Sequence, residues 1–249
     1  MRLRRALLTV AAGAALILLW AAAAALVRKG FLPSPLLTFA RLAQHLADGT
    51  LSRHAGASAA RIGLALLFSV VPASLLGLAA GRSRRLDAVV TPFVYILHPL
   101  PKVAFLPIIM LFLGLGNAAK VFLIWLIIFG QLVVSARDAA RAVPPALLDS
   151  VRSLGATRAD LLRHVIVPAA LPSLLSALRV ALGTSIAVLF LAESFAAESG
   201  LGWYIVDSWT RVDYPDMYAA IVALSVFGLL CYVIIDLLEA ILCRWREKV

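Results

Sequence analysis

Long apolar runs restrict this chain more than any other feature of its sequence. The predominantly apolar stretches from Ala6 to Val27 and from Met217 to Leu242 both exceed the roughly 18–20 residues that cross a bilayer as an α-helix. Transmembrane β-strands would instead appear as short segments of alternating hydrophobicity. The sequence therefore predicts an all-α, polytopic membrane protein.

The composition agrees with this class and excludes an ordinary soluble domain. Hydrophobic residues make up 63% of the chain and charged residues 14%, whereas soluble domains average roughly 45–50% and about 25%. The net charge of +10 would favour nucleic acid in a soluble protein. Here the basic residues lie between apolar spans, as in the cytoplasmic flanks of membrane helices. We expect the lipid bilayer as a partner, no nucleic acid, and one transmembrane domain over residues 1–249.

Basic residues between the spans predict which side each loop faces. The N-terminus, the second and fourth inter-span loops and the C-terminal tail hold 14 Lys and Arg, against 5 in the other loops. By the positive-inside rule both termini are cytoplasmic. The basic start of the first span also resembles a signal peptide, but its apolar run is longer than usual, and its processing stays open. The predicted spans are residues 6–27, 61–80, 89–113, 118–136, 173–197 and 217–242.

The third predicted span is unusually rich in proline, with Pro92, Pro99, Pro101 and Pro107 inside residues 89–113. Proline at membrane depth is tolerated where neighbours or a cavity satisfy the freed carbonyl groups. We expect a kinked helix here. It either lines a pathway or packs irregularly. On the external side, the segment after the first span predicts a short surface helix from about Leu36 to Ala47.

A charged, turn-rich module interrupts the apolar pattern at residues 143–168. Leu147, Val151 and Leu154 recur at spacings of four and three, which places them on one stripe of a short helix. Gly155 follows, where a left-handed helix terminus favours glycine. The pattern predicts a helix that ends at this glycine.

A second short helix is predicted after the glycine. Thr157 and Asp160 have the spacing of a capping box, and Pro168 is expected to end the helix. The product is a helix–turn–helix at the cytoplasmic face. It is either a docking surface or an amphipathic loop that rests on lipid headgroups.

The module resembles the EAA signature of ABC importer permeases, which reads Glu-Ala-Ala, three residues, Gly, nine residues, Ile-x-Leu-Pro. Here the same spacing holds Asp149-Ser150-Val151, Gly155 and Val165-Ile166-Val167-Pro168. Gly155 and Pro168 match in identity, while Val151 departs from the second alanine. The segments LPSP (32–35), PKVAFLPI (101–108), AES (192–194) and GLG (200–202) are similar to the nitrate, sulfonate and taurine branch.

The resemblance implies a six-helix, type I ABC importer permease with a methionine-importer-like fold, in a bacterial inner membrane. It implies three kinds of partner: a cytoplasmic ATPase dimer, a second permease copy and an external solute-binding protein. ATP and Mg would bind the ATPase, with no cofactor on this chain. The solute would be a small anion such as a sulfonate, taurine, nitrate or bicarbonate. The residues that would couple to the ATPase are Asp149, Ser150, Val151, Leu154, Gly155, Ala156, Val165, Val167 and Pro168.

Other functions find little support in the sequence. The chain has no G-x-x-x-x-G-K-[ST] loop to hold phosphates. An intramembrane enzyme would need a nucleophile–base pair or a metal set, but His98 and His164 lack companions and no HExxH or GxSxG motif occurs. A secondary transporter would show an inverted repeat and several charges at mid-membrane. We expect a translocation subunit and no enzyme.

Some charged residues do fall within or beside the spans. Lys102, Arg179 and Glu193 are candidates for a translocation pathway, while Arg61 and Lys102 also lie near span ends, where such side chains can reach the interface. Arg179 and Glu193 are separated by about 21 Å of helix and cannot pair within the chain. Charges in a membrane face a cavity or a partner. Both possibilities remain open.

Overall fold

A computed structural model of the chain describes residues 2–27, 30–97, 99–195 and 197–245. His98 and four of the basic residues that were counted in the loops and tail, Arg28, Lys29, Arg246 and Lys248, lie outside these residues. All regular structure in the described residues is helical, which confirms the all-α prediction. The helices are α1 (Arg2–Val27), α2 (Pro35–Ala47), α3 (Thr50–Arg82), α4 (Arg84–Leu97), α5 (Leu106–Leu113), α6 (Asn117–Arg141), α7 (Pro145–Arg152), α8 (Arg158–Leu161), α9 (Val167–Ser194), α10 (Leu201–Thr210) and α11 (Tyr214–Leu242).

Four described helical stretches are long and apolar enough to cross a membrane: α3, α6, α11 and the continuous helix Arg158–Ser194 that includes α9. The pair formed by α4 and residues Lys102–Leu113 counts as a fifth span if its two bent pieces are one crossing. The apolar part of α1, Ala11–Val27, is shorter. The short helix predicted from about Leu36 to Ala47 is also present, as α2.

The proline-rich span is broken, as expected. Pro92 lies inside α4, and Pro107 occupies the first turn of α5, where its missing N–H costs no hydrogen bond. A 3₁₀ turn, Lys102–Phe105, precedes α5, and the two pieces of the span differ in direction by 82°.

The structure corrects the predicted end of the second short helix. Pro168 does not terminate it: a π-helical turn, Leu162–Ile166, joins α8 to α9, and Pro168 lies in the first turn of α9. A proline is tolerated at that position because the first turn of a helix has no donors to lose. The fifth span is therefore continuous with the second half of the charged module, in one helical stretch from Arg158 to Ser194.

The chain divides into two compact units. The first contains Met1–Ala57 and Glu198–Val226. Inside it, the indole Nε1 of Trp20 donates a hydrogen bond to the carbonyl of Pro33 (3.1 Å), and the Trp20 ring stacks on Tyr218. The segment after the fifth span, which carries several aromatic residues, includes helix α10 in this unit.

The second unit contains Ser58–Ala197 and Phe227–Val249. Its centre is the long contact of α6 with α9. Helix α3 approaches α6 closely through Gly77 and Gly81, since an added Cβ on either would collide with the carbonyl of Val133 or of Arg137. Small residues that let backbones approach are typical of helix contacts in membranes. The core residues of the α6–α9 contact include Leu123, Ile124, Ile128, Leu132, Ala181, Leu182, Leu189 and Ala192.

Candidate functional site

The charged module of residues 143–168 is anchored by one face of α7. Leu148 is buried and Val151 packs beside it, against a cluster that includes Leu161, Val165 and Ile166. On the other side, Leu147 is 47% exposed and Leu154 85% exposed. The expected single stripe of Leu147, Val151 and Leu154 is therefore wrong, because Val151 turns toward the core. The module therefore exposes Leu147 and Leu154 while Leu148 and Val151 pack against the core.

Gly155 has the left-handed conformation that its position predicted, with φ +85. Its N–H donates to the carbonyl of Arg152 (2.9 Å). An added Cβ would meet open space, so the conformation of the backbone, and not crowding, favours glycine here. The joint between α7 and α8 depends on this residue.

The capping box at the start of α8 is also present. The Thr157 hydroxyl accepts from the backbone N–H of Asp160 (3.2 Å), and the Asp160 carboxylate accepts from the backbone N–H of Thr157 (2.9 Å). The hydrogen bonds from the hydroxyl and N–H of Thr157 lower the pKa of Asp160 below its ordinary value. The cap fixes the direction in which the chain leaves Gly155.

The motif residues divide between surface and core. Asp149 pairs with Arg152 (3.2 Å), both exposed, and the Ser150 hydroxyl donates to the carbonyl of Ala146. An exposed ion pair of this kind contributes at most about 1 kcal/mol. Ala156 is partly buried. Val165 is buried, Val167 packs against the same cluster, and Pro168 is partly buried.

Glu193 lies in a buried polar cluster of the second unit. Its carboxylate is fully buried and accepts from the Ser58 hydroxyl (2.8 Å) and from Arg61. Arg61, 3% exposed, also donates to the Asn117 side chain (2.9 Å). The expectation that Arg61 reaches the interface is therefore wrong. Its carboxylate partner holds it inside.

Lys120 is a buried cation that the sequence reasoning missed. It is 1% exposed, and its ammonium donates to the carbonyls of Leu115 (2.7 Å) and Gly116 (3.3 Å). These carbonyls precede the first turn of α6, so the side chain folds back over its own helix start. A lysine a few residues after a glycine-rich turn is the sequence signal that would have suggested it.

The other two pathway candidates lie apart from Glu193. Arg179 of α9 forms ion pairs with Asp236 and Glu239 of α11, the latter at 2.8 Å. Lys102 lies in the 3₁₀ turn and lines a cavity. Lys102, Arg179 and Glu193 thus lie in three different surroundings and do not form one site.

A second polar cluster, also missed, occupies the first unit. The Nε2 atom of His45 lies 2.9 Å from the Asp216 carboxylate, and its Nδ1 atom lies 3.1 Å from that of Asp48. The Tyr204 hydroxyl donates to Asp216 (3.1 Å). Only the imidazolium form of His45 can donate to both carboxylates.

The cluster changes the acidity of its members. Burial opposes a charge on His45, but the hydrogen bonds to Asp216 and Asp48 outweigh it and raise the pKa of His45 above 6.5. Burial and the Asp216 charge raise the pKa of Tyr204 to about 12. Among the described residues, no group of three or more His, Cys, Asp and Glu side chains could hold a metal ion.

Comparisons with known proteins agree with the geometry. The family model described as "Binding-protein-dependent transport system inner membrane component" matches residues 73–248. The taurine transport system permease protein TauC of Escherichia coli (strain K12) is 32% identical over 254 residues, which covers 99% of this chain and 92% of TauC. The riboflavin transport system permease protein RibX of Chloroflexus aurantiacus is 33% identical over 219 residues, or 87% of this chain and 81% of RibX.

A solved structure shows the same fold. A chain of the inward-facing MetNI methionine ABC transporter superposes with a TM-score of 0.61. The superposition covers 75% of this chain and 91% of that one, at 21% sequence identity. The predicted type I importer fold is thereby confirmed.

Proposed function

The chain belongs to the binding-protein-dependent transport system inner membrane components, the permeases of ABC importers, and we propose that its α7–α8 module is the surface on which the ATPase docks. This membership resolves the alternatives of a secondary transporter and an intramembrane enzyme in favour of the importer. The chain is a multi-pass protein of the inner membrane.

One observation carries the docking proposal: the module holds two exposed leucines on a fixed base. Leu148 and Val151 pack against the core, so Leu147 and Leu154 project from a surface that cannot rotate freely. Exposed apolar groups beside charges, as at Asp149 and Arg152, are typical of a protein contact. Leu154 would insert into the ATPase surface.

The remaining partners follow from the same membership. We propose two permease copies, an ATPase dimer that binds ATP and Mg, and an external solute-binding protein. The termini and the loops on their side hold 14 Lys and Arg, and the other loops hold 5, which supports cytoplasmic termini and a cytoplasmic module. A cytoplasmic reporter fused after Val249 or near Ala156 should be active, and one fused near Asp207 should be silent. Activity at Asp207 would contradict this orientation.

The solute that the comparisons favour is a small sulfonate such as taurine. The similarity to TauC extends over 99% of this chain, more than the 87% shared with RibX. We propose that the binding protein delivers this solute and that ATP hydrolysis on the partner drives its passage.

Reconstitution tests the proposal. The permease, the ATPase and the binding protein encoded with it would be placed in proteoliposomes, and uptake of radiolabelled taurine would be measured. Uptake should require ATP, the ATPase and the binding protein. Uptake without any ATPase, or ATP-driven uptake of only an uncharged solute, would contradict the mechanism or the substrate class, respectively.

A further inference from the structure

A cavity of about 390 Å³ lies between α3, α4 and α6, inside the second unit. Its walls are mainly apolar and include Leu76 of α3, Phe93 of α4 and Ile127 of α6. Sites for small molecules are typically apolar cavities of roughly 300–1,000 Å³ with a few placed polar groups. The volume suits a small solute.

Two polar side chains from different elements line this cavity. Lys102 belongs to the 3₁₀ turn after α4, and Gln131 belongs to α6. The Oε1 atom of Gln131 is buried and accepts no hydrogen bond from the described part of the chain. A buried acceptor without a donor destabilises a protein. An occupant with an N–H group would satisfy it.

The broken span gives the cavity its position. The 82° change of direction separates α4 from α5 and places Lys102 between them. Interrupted helices at membrane depth are tolerated where the irregular backbone is covered by protein or lines a cavity. The irregular backbone at Lys102 adjoins this cavity.

We propose that the cavity is a transit site for a small aminosulfonate. Lys102 attracts the sulfonate, and Gln131 accepts a hydrogen bond from the ammonium group at the other end of the solute. A lipid acyl chain would fit the apolar walls but would leave Gln131 without a donor. The inference rests on the proposed function and adds to it a selectivity site in the permease itself.

Substitutions at three positions test the site in the complete reconstituted importer, with taurine uptake measured at saturating, taurine-loaded binding protein. Lys102→Met should reduce uptake about tenfold or more, the effect of losing a charge-assisted hydrogen bond. Lys102→Arg keeps a cation and should recover most of that loss. Gln131→Leu should reduce uptake about tenfold, and Gln131→Glu, which keeps an acceptor, should be less affected.

A substitution at the third position, Gly130, fills the cavity without changing its charge. A Cβ at Gly130, which lines the cavity, meets open space, so Gly130→Leu should insert normally and reduce uptake at least tenfold. Gly63→Leu in α3 is the matched control, since a Cβ there also meets open space outside the cavity. It should transport like the wild type. Membrane abundance and the ATP hydrolysis stimulated by the binding protein should persist in all these variants.

The outcomes separate this inference from the proposed function. If the wild type takes up no taurine, the proposed substrate fails and the site fails with it. If the wild type transports but Lys102→Met and Gln131→Leu transport equally well, only the site is wrong. Equal losses in Lys102→Met and Lys102→Arg would indicate a structural role and overturn the proposal. Loss of a bound lipid in Gly130→Leu, with uptake unchanged, would assign the cavity to lipid.

Discussion

The α7–α8 module and the buried cluster around Glu193 both hold charged residues, but in opposite environments. In the module, Asp149 pairs with Arg152 three residues away, in solvent. In the buried cluster, Glu193 pairs with Ser58 and Arg61, which lie 135 and 132 residues away. Exposed local pairs contribute little to stability, whereas loss of one partner from a buried pair is strongly destabilising. The module is therefore free to serve docking, and the cluster maintains the fold.

The largest effect is expected at the buried cluster. Glu193→Leu removes the carboxylate and leaves Arg61 as a buried, uncompensated charge, which should cost about 3–5 kcal/mol. The amount of folded permease in the membrane and its thermal stability in detergent should both fall sharply.

A double variant provides the control for Glu193. Arg61→Met combined with Glu193→Leu removes both charges, and it should recover much of the lost stability. If Glu193→Leu alone were as stable as the wild type, the cluster would not maintain the fold. The contrast between a cluster that maintains the fold and a module that serves docking would then not hold.

Gly155→Val should act on docking and spare the fold. A β-branched residue at φ +85 is strained by about 1–2 kcal/mol or more. We expect normal membrane abundance but loss of both ATPase association and uptake, with Gly155→Ala milder. Co-purification of the ATPase and uptake would be measured together.

Gly49 supplies a matched control for Gly155. It also has a left-handed conformation (φ +81) and open space around its Cβ, but it lies in the first unit. Gly49→Val should introduce similar strain and leave ATPase association intact. If Gly155→Val kept full association and uptake, the docking geometry would be wrong. If Gly155→Val were absent from the membrane, the module would have a role in maintaining the fold.

A smaller effect is expected from the cap of α8. Thr157→Ala removes the hydroxyl that accepts from Asp160 N–H, at a local cost of about 1 kcal/mol. ATPase association should weaken by a few fold while abundance is unchanged. Thr157→Ser retains the hydroxyl and should bind the ATPase like the wild type. Equal weakening by both variants would point to lost packing of the methyl group.

The smallest effect concerns pH at the His45 cluster, in which His45 contacts a local partner, Asp48, and a distant one, Asp216. The folded pKa of His45 is raised above 6.5. The stabilisation of the folded protein by His45 is therefore complete below the unfolded pKa of this histidine, about 6.5. It is lost as the pH rises through the folded pKa. The stability difference between the wild type and His45→Gln, under about 1 kcal/mol, should shrink from pH 5.5 to 8.5. A difference that grew with pH would contradict the assigned imidazolium.

The two regions also differ in how far the sequence predicts them. The positive φ of Gly155 and the cap between Thr157 and Asp160 were predicted, because glycine and capping preferences act over a few residues. The break at the prolines is also a local effect, and four of the predicted spans correspond to long apolar helices, whereas the apolar part of α1 is shorter than a span. The inward turn of Val151 was not predicted, because it depends on the neighbours of the helix.

The pairing of Arg61 with Glu193 was likewise not predicted from the sequence. No local sequence pattern indicates that α3 and α9 lie close enough for Arg61 to contact Glu193. The continuation of the helix through Pro168 was missed because the π-helical turn before it shifts the register. Long-range contacts of this kind are set by packing.

The most direct test of the central claim is co-purification of the ATPase with a permease in which only the exposed tip of the module is changed. Leu154→Arg places a charge where we expect insertion into the ATPase, and Val212→Arg makes a comparable change at a residue of the first unit that is 65% exposed. We predict that Leu154→Arg reaches normal membrane abundance and loses the ATPase, while Val212→Arg retains it in full. Full retention of the ATPase by Leu154→Arg would contradict the assignment of the α7–α8 module as the docking surface.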